Sequence, residues 1–150
     1  MRAKTADVVL DSNVLLKTVL LEAYSHEVTI WLQGAGEQFT CHAPSCIFLE
    51  CAHTLQKAGR RFPDLYAPDQ FVTDFQSLQR IDINLYAFEP YTFRAVTLAN
   101  LYGISVYDGI FIALAEYLHL PLLTGDQRLI TRMTGQLSLE ILSVNEYFQE

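Results

Sequence analysis

The sequence predicts a three-layer α/β/α domain with a mostly parallel central sheet. Short apolar runs alternate with helical stretches along the chain, as in α/β proteins. The first run ends in Val8-Val9-Leu10 and is continuously apolar, which is typical of a strand covered on both faces. No linker, repeat or low-complexity segment interrupts the sequence, so we expect a single domain over residues 1–150.

The first half of the chain is predicted to contain two strands and three helices. Ser12 can cap the first helix, and Gly34 and Gly36 end the second. Ser45 can cap the third helix, which Gly59 closes. In order, the elements are a strand at 6–10, a helix from 12 to about 24, a helix at 28–33, a strand at 39–42 before Pro44, and a helix from 45 to about 58.

The second half is predicted to continue this alternation. Residues 81–85 alternate strictly between apolar and polar side chains, as an outer strand does. Pro90 suits the first turn of a helix. In order, the elements are a helix at 69–78, a strand at 81–85, a helix from 90 to about 102, a strongly apolar helix from Asp108 to 118, a strand at 122–124, a short helix from 127, a strand at 139–142 and a helical turn at 144–148.

The composition excludes disorder and a broadly basic surface for nucleic acid. Hydrophobic residues make up 51% of the chain and charged residues 18%, which is enough apolar surface for a packed core. Ten Lys and Arg against 17 Asp and Glu give a net charge of −7, so any contact with nucleic acid must be local. The basic residues that could grip phosphates locally are Lys57, Arg60, Arg61, Arg128 and Arg132.

The cysteines and the amino terminus favour a protein of the reducing cytoplasm. Cys41, Cys46 and Cys51 cannot all pair within one chain, and none forms the Cys-x-x-Cys spacing of a zinc site. Residues 1–7 lack a signal-peptide pattern, and charged or polar residues interrupt the apolar run 8–21. We therefore expect a cytoplasmic protein without a membrane segment.

Four carboxylates occupy positions where packing alone would favour other residues. Asp11 and Asp126 follow strands, and ligands of open parallel sheets bind beyond the carboxyl ends of strands. Asp108 opens the most apolar helix, and Glu50 lies on the apolar face of another. Helix capping is an alternative role for Asp11, Asp108 and Asp126, whereas Glu50 lies too far into its helix to cap it.

These acids cannot share one pocket as ionised groups without a compensating positive charge. At about 4 Å and an effective dielectric near 20, each pair of carboxylates repels by roughly 4 kcal/mol. The sequence leaves three solutions open, which are protonation, an entering Arg or Lys, and a hard divalent metal. Oxygen ligands without a Cys or His cluster favour Mg²⁺ or Mn²⁺ over zinc.

Four segments resemble a known family in their order, spacing and position at strand ends. The chain is similar over nearly its whole length to the PIN-domain nucleases, and among those to the VapC-type toxins of prokaryotic toxin–antitoxin pairs. The segments are Val9-Leu10-Asp11-Ser12-Asn13-Val14-Leu15, the isolated Glu50 on the third helix, Tyr107-Asp108-Gly109-Ile110-Phe111-Ile112-Ala113-Leu114-Ala115, and Leu122-Leu123-Thr124-Gly125-Asp126-Gln127-Arg128-Leu129.

The resemblance implies a PIN-like fold and a metal-dependent endoribonuclease that leaves 5′-phosphate and 3′-hydroxyl ends. The acids implied to hold Mg²⁺, for which Mn²⁺ can substitute, are Asp11, Glu50, Asp108 and Asp126. The residues implied to support the site or to contact RNA are Ser12, Asn13, Thr124 and Arg128. Tyr102 and Tyr107 lie near the predicted pocket and are further candidates for substrate contact, whereas the cysteines and histidines are assigned no chemistry.

The implied partners are a cognate antitoxin, which would lay an amphipathic segment into an apolar groove near the first helices, and a second copy of the chain. Two alternatives to the nuclease remain open. One is an interaction module whose acidic pocket captures an Arg or Lys of a partner. The other is a metal-dependent phosphatase, although Asp11-Ser12-Asn13 lacks the second aspartate of an Asp-x-Asp motif.

Overall fold

The computed structural model describes residues 6–149. Its strands are β1 (Val8–Leu10), β2 (Cys41–Pro44), β3 (Asn84–Tyr86), β4 (Leu122–Thr124) and β5 (Ile141–Ser143). Its helices are α1 (Ser12–Leu16), α2 (Ser25–Leu32), α3 (Ile47–Arg61), α4 (Pro68–Gln79), α5 (Thr92–Tyr102), α6 (Val106–Leu118), α7 (Gln127–Met133) and α8 (Val144–Phe148). A 3₁₀ turn at Glu89–Tyr91 leads into α5.

The strands form one sheet in the order β3-β2-β1-β4-β5, and every pairing is parallel. In the central register Val9 lies beside His42 of β2 and Leu122 of β4. Helices flank the sheet in a three-layer α/β/α arrangement, which confirms the predicted fold class. The alternating segment forms β3 at the edge of the sheet, as predicted for an outer strand.

The core contains buried residues from most of the helices and strands, with β1, β4 and α6 contributing continuously buried segments. All three residues of β1 are buried, and so are all three of β4. From Gly109 to Ala115 every residue of α6 is buried. Continuous burial of this kind explains why the strand sequences are apolar runs rather than alternating patterns.

Gly109 lets α6 approach α5 directly behind Asp108. A Cβ at this position would lie 2.6 Å from the carbonyl oxygen of Ala95 and 2.9 Å from its Cα. Because both atoms belong to the backbone, no side chain can move aside to make room. The requirement for glycine here is therefore a matter of helix packing, and it fixes where the first turn of α6 lies.

The predicted helix at 12–24 is wrong, because α1 ends at Leu16. The loop that follows is closed by side chains. Lys17 Nζ lies 3.2 Å from Glu22 Oε2 and 3.0 Å from the Ala23 carbonyl oxygen. The Ser25 hydroxyl accepts from the Glu22 N–H and donates to the Leu20 carbonyl, both at 2.9 Å, and α2 begins at Ser25 rather than residue 28.

Other predicted boundaries shift by a few residues. The helix predicted from Ser45 begins at Ile47 after Cys46, without a side-chain cap, and it runs through Gly59 to Arg61. The most apolar helix begins at Val106, two residues before Asp108. Strands predicted at 39–42, 81–85 and 139–142 are found at Cys41–Pro44, Asn84–Tyr86 and Ile141–Ser143.

Cys41, Cys46 and Cys51 are buried free thiols, and burial raises their pKa values to about 12, 11 and 12. Within residues 6–149 no single helix is long and apolar enough to cross a membrane. One pair of helical segments is long and apolar enough for a membrane span only when the two are counted together. The pair is Glu89–Tyr102 and Val106–Leu118, and it is bent by 117°.

Candidate active site

The carboxyl ends of β1 and β4 place Asp11 beside Thr124. Asp11 is 4% exposed and caps α1, its Oδ1 accepting from the Ser12 N–H at 2.8 Å. Its Oδ2 accepts from the Thr124 hydroxyl at 2.7 Å and from Asn13 Nδ2 at 3.1 Å. The capping role of Asp11 is therefore real, and it leaves the carboxylate fixed at the strand end.

Asn13 ties the two strand ends together. Its Nδ2 donates to Thr124 Oγ1 at 3.2 Å as well as to Asp11, and its Oδ1 accepts from the Gly125 N–H at 2.8 Å. We call Asp11, Asn13, Thr124 and Gly125 the strand-end cluster. Every polar group that Asn13 contributes to this cluster has a defined partner.

Glu50 reaches the same region from the first turn of α3. Its Oε2 accepts from the Ser12 hydroxyl at 2.9 Å. Its Oε1 is buried and has no hydrogen-bond partner within residues 6–149. A buried carboxylate oxygen without a partner is costly, so this atom marks a place where a cation or a donor would stabilise the protein.

Asp108 lies in the first turn of α6, where Ser105 is the N-cap. The Ser105 hydroxyl accepts from the Asp108 N–H at 3.0 Å, and hydrogen bonds from Ser105 lower the pKa of the Asp108 carboxyl. This reciprocal pairing is a capping box. The Ser-x-x-Asp spacing of Ser105 and Asp108 is its sequence signature, so the true start of this helix was readable from the sequence.

Asp126 caps α7. Its Oδ1 accepts from the Arg128 N–H at 2.9 Å and from the Leu129 N–H at 3.1 Å. Its own N–H donates to Thr124 Oγ1 at 3.0 Å. The structural role that the sequence left open for Asp126 is therefore present, and the same contacts hold it against the strand-end cluster.

The four carboxylates share one electrostatic environment. Burial, together with the charges of Asp108 and Asp126, raises the pKa of Asp11 to about 6, although hydrogen bonds from Thr124 and Ser12 act to lower it. Burial raises the pKa of Glu50 to about 7, with Asp11 and Asp108 contributing. Burial, and then the charge of Asp126, raise the pKa of Asp108. Within residues 6–149 no Lys or Arg forms an ion pair with any of the four.

This donor set fits a hard divalent cation. Its ligands are carboxylate oxygens, the Glu50 Oε1 atom has no partner in the described chain, and no basic side chain balances the charge. In residues 6–149 no three acidic, His or Cys groups converge as a ready-made ion site. Asp11 and Glu50 instead bond to Ser12, Asn13 and Thr124, so binding of Mg²⁺ or Mn²⁺ would require these carboxylates to reorient.

The basic residues flank the acids without entering their pocket. Arg128 is exposed on α7, where its backbone N–H bonds to Asp126. Arg132 Nη1 instead donates to the carbonyl oxygens of Tyr102 at 3.3 Å and Gly103 at 3.1 Å, so it holds α7 against the end of α5. On the other side, the last two turns of α3 carry Lys57, Arg60 and Arg61.

A cavity of about 500 Å³ adjoins Glu50 and Asp108. Its further lining residues are Cys46, Leu49, His53, Thr54, Ser105 and Tyr107. Tyr107 is among the residues predicted to lie near the site, whereas His53, Thr54 and Ser105 were missed. Only Ser105 had a usable signal, in the capping box, because the α3 residues reach the cavity through tertiary packing.

Together, the parallel sheet and the carboxylates at its carboxyl edge define an α/β domain with an acidic pocket suited to a hard cation. The profile of the PIN domain matches residues 8–135. The chain therefore belongs to the PIN-domain family, and within it to the VapC-type proteins.

Individual proteins agree with this assignment. Over 100 residues the chain is 30% identical to Ribonuclease VapC1 of Mycobacterium tuberculosis, covering 67% of this chain and 73% of that protein. The structure of PAE2754 from Pyrobaculum aerophilum matches with a TM-score of 0.65 and 16% identity, covering 99% of this chain and 96% of that one. A toxin–antitoxin complex from Klebsiella pneumoniae matches with a TM-score of 0.57 and 18% identity, covering 85% of this chain and 91% of that one. The two structural matches bear on the fold alone.

Proposed function

We propose that this protein is a metal-dependent endoribonuclease that hydrolyses RNA phosphodiester bonds, with Mg²⁺ or Mn²⁺ held by Asp11, Glu50, Asp108 and Asp126. The observation that carries the proposal is the acidic pocket itself. Burial and then neighbouring acids raise the pKa values of Asp11, Glu50 and Asp108, and the Glu50 Oε1 atom lacks a partner in the described chain. A bound divalent cation would lower the pKa of a coordinated water and neutralise charge on the phosphoryl group.

The chain's own residues would then position the reaction. Asp11 is oriented by Thr124 and Asn13, and Glu50 by the Ser12 hydroxyl, so these two carboxylates are directed before substrate arrives. Asp108 and Asp126 complete the acidic edge from the ends of α6 and α7. Attack by water needs no serine, cysteine or histidine nucleophile. The burial of all three cysteines is consistent with this chemistry.

RNA as the substrate rests on the relative named Ribonuclease VapC1. The local charge distribution supports a phosphate-bearing ligand, because exposed Arg128 lies beside Asp126 and a basic end of α3 lies beyond Glu50. Such a local grip suits a protein whose net charge is −7. Cytoplasmic residence accords with an RNA substrate and three free thiols.

The experiment that tests this function combines calorimetry with cleavage. Metal-free protein is titrated with Mn²⁺ and then incubated with a panel of RNAs, beside Asp11→Asn and the exposed control Asp64→Asn. We expect Mn²⁺ binding and cleavage for the parent and the control, and loss of both for Asp11→Asn. A folded parent that binds no Mn²⁺ and cuts no RNA would refute the nuclease and favour a module that captures Arg or Lys.

We also propose that the protein acts as the toxin of a type II pair and binds a cognate antitoxin. The matched complex from Klebsiella pneumoniae is described as a toxin–antitoxin complex. An exposed apolar site exists near the first helices, where residues 17–21 line a shallow cavity of about 300 Å³ with Ser25, and Leu21 is 98% exposed. Antitoxin binding would be checked by co-purification with Leu21→Asp, which we expect to weaken the complex.

Homodimer formation is the remaining part of the proposal. Large apolar side chains are exposed along α5 and the end of α6, at Phe93, Val96, Leu101 and Tyr117. An apolar surface of this kind favours a second copy of the chain as its partner. Sedimentation of the parent beside Phe93→Asp would show a dimer that the charge disrupts, whereas a monomeric parent would refute it.

A further inference from the structure

The cavity beside Glu50 and Asp108 is built from two elements. One wall is Cys46, which precedes α3, and a single face of α3, where Leu49, His53 and Thr54 recur at helical spacing. The opposite wall is the start of α6 with Tyr107. At about 500 Å³ the space is larger than water or an ion requires, so it can receive an organic group next to the acids.

The walls are unsuited to phosphate and suited to a flat, uncharged group. Leu49 is 72% exposed and Tyr107 is 59% exposed, so large apolar surfaces face the opening. The charged groups on the lining are the carboxylates Glu50 and Asp108, which repel an anion. Exposed aromatic rings beside a nucleic-acid site typically stack on unpaired bases.

Polar groups are placed to read the edge of such a ring. His53, Thr54 and Tyr107 line the cavity and are exposed, so their imidazole and hydroxyl groups are accessible to a ligand. Imidazole and hydroxyl groups can both donate and accept, as base edges require. The cavity thus offers an apolar surface and accessible hydrogen-bonding groups together.

The same face of α3 leads away from the acids to positive charge. Lys57 lies four residues beyond His53, and Arg61 lies four residues beyond Lys57, so these side chains continue the stripe. At 1.5 Å per residue, Lys57 is about 10 Å along the helix from Glu50. A strand whose base enters the cavity would therefore carry its next phosphates toward these cations.

We infer that this cavity receives the nucleobase adjoining the scissile phosphate, stacked on Tyr107 and contacted by His53 and Thr54, so that these three residues set the base preference beside the cut. The inference rests on the proposed ribonuclease function and deepens it. Tyr107 is thus a specificity residue, distinct from the carboxylates that would hold the cation.

The test measures coupling between Tyr107 and the base. A single-stranded oligonucleotide that the parent cuts is compared with versions carrying an abasic nucleotide on either side of the cut, using the parent and Tyr107→Ala. Val72→Ala is the control, since Val72 lies on α4, outside the proposed binding surfaces, and is 52% exposed. His53→Ala is assayed in parallel with His26→Ala, which changes an exposed histidine of α2.

We expect one abasic substitution to lower kcat/KM about tenfold for the parent and Val72→Ala, and less than about twofold for Tyr107→Ala. His53→Ala should flatten the base preference at that position while His26→Ala retains it. Mn²⁺ binding should be unchanged in all four variants. Equal abasic effects in the parent and Tyr107→Ala would overturn the cavity assignment alone, whereas a parent that cuts no RNA would overturn the ribonuclease as well.

Discussion

The two halves of the acidic site are held in different ways. In the strand-end cluster, Thr124 Oγ1 alone takes part in three hydrogen bonds, with Asp11, Asn13 and Asp126. On the helix side, Glu50 has one hydrogen bond, from Ser12, and its second oxygen has no partner within residues 6–149. The strand half is therefore held by several hydrogen bonds among neighbouring side chains, whereas the helix half retains a carboxylate oxygen that could accept another bond.

The difference follows from the fold. β1 and β4 are paired neighbours, so the sheet itself sets the distance between Asp11 and Thr124. Glu50 and Asp108 stand on α3 and α6, whose positions depend on side-chain packing. We expect the strand half to keep its geometry when a cation binds and the helix half to supply the adjustment.

Removal of the Thr124 hydroxyl should have the largest effect, because it breaks the strand half. Thr124→Val keeps the shape but deprives Asp11 Oδ2 of its 2.7 Å donor. We expect RNA cleavage to fall about 100-fold and the free energy of unfolding to fall by about 2 kcal/mol. Thr131→Val, which removes a hydroxyl bonded within α7, is the control. If Thr124→Val cleaved RNA at a rate within threefold of the parent, the claim that Thr124 orients Asp11 for cleavage would be contradicted.

The second prediction concerns stability of the metal-free protein between pH 4 and 8. Asp11 has a pKa of about 6 in the folded protein against an ordinary value of 3.8, so the folded state holds more protons between these two pH values. The free energy of unfolding must then fall as pH rises through this window. The loss from Asp11 is about 3 kcal/mol and is complete above pH 6, and Glu50 extends it toward pH 7.

Urea unfolding at pH 5 and pH 8 measures this loss. Asp11→Asn should reduce the dependence of the free energy of unfolding on pH. Millimolar Mn²⁺ should increase the stability of the parent more at pH 8 than at pH 5, because the ion binds the ionised carboxylates. Asp64→Asn should retain the parent profile. A metal-free parent equally stable at both pH values would refute the burial of these charges.

Loss of the Ser12 hydroxyl tests the helix half and should have a smaller effect. Ser12→Ala removes the only hydrogen bond that Glu50 receives in the described chain, and that bond lowers the pKa of Glu50. We expect Mn²⁺ affinity at pH 7 to fall about tenfold, with most of the difference recovered at pH 8.5 as Glu50 ionises. Ser77→Ala, on exposed α4, is the calorimetric control. A loss that does not depend on pH would contradict this assignment.

Arg128→Ala should have the smallest effect, since this residue lies outside the pocket. We expect KM for RNA to rise about threefold with kcat unchanged. The slope of log affinity against log salt should fall by about 0.7, the value for one phosphate contact on a single strand. Arg80→Ala, at the exposed end of α4, provides the comparison. An unchanged salt slope would show that Arg128 does not contact phosphate.

The sequence predicted correctly that two of the proposed site residues, Asp11 and Asp126, lie at strand ends. Asp11 and Asp126 follow short apolar runs, and parallel topology necessarily brings such ends to one edge. The length of α1 was wrong for a local reason. Helical spacing continues past Leu16, but Lys17 and Ser25 close the following loop through bonds to carbonyl groups and Glu22. Such competing side-chain bonds carry no periodic signal.

The helix half of the site was only partly predictable. Glu50 was identified because a carboxylate on an apolar helix face requires a partner, but its bond to Ser12 spans 38 positions of sequence. Asp108 was identified, whereas its cap, Ser105, was overlooked despite the Ser-x-x-Asp spacing. The cavity depends on how α3 meets α6, and no local pattern encodes that meeting.

The hydrogen bonds of Asn13 separate the residues of the proposed cleavage chemistry from those that would select the RNA. Its amide joins Asp11, Thr124 and Gly125, so the orientation of the first carboxylate depends on positions at two adjacent strand ends and on no long loop. Under the proposed function, the cavity residues of α3 and α6 other than Glu50 and Asp108 can therefore vary in sequence while the carboxylates stay in place. Changing the RNA preference of such an enzyme would require substitutions in the cavity lining, without any change to the four carboxylates.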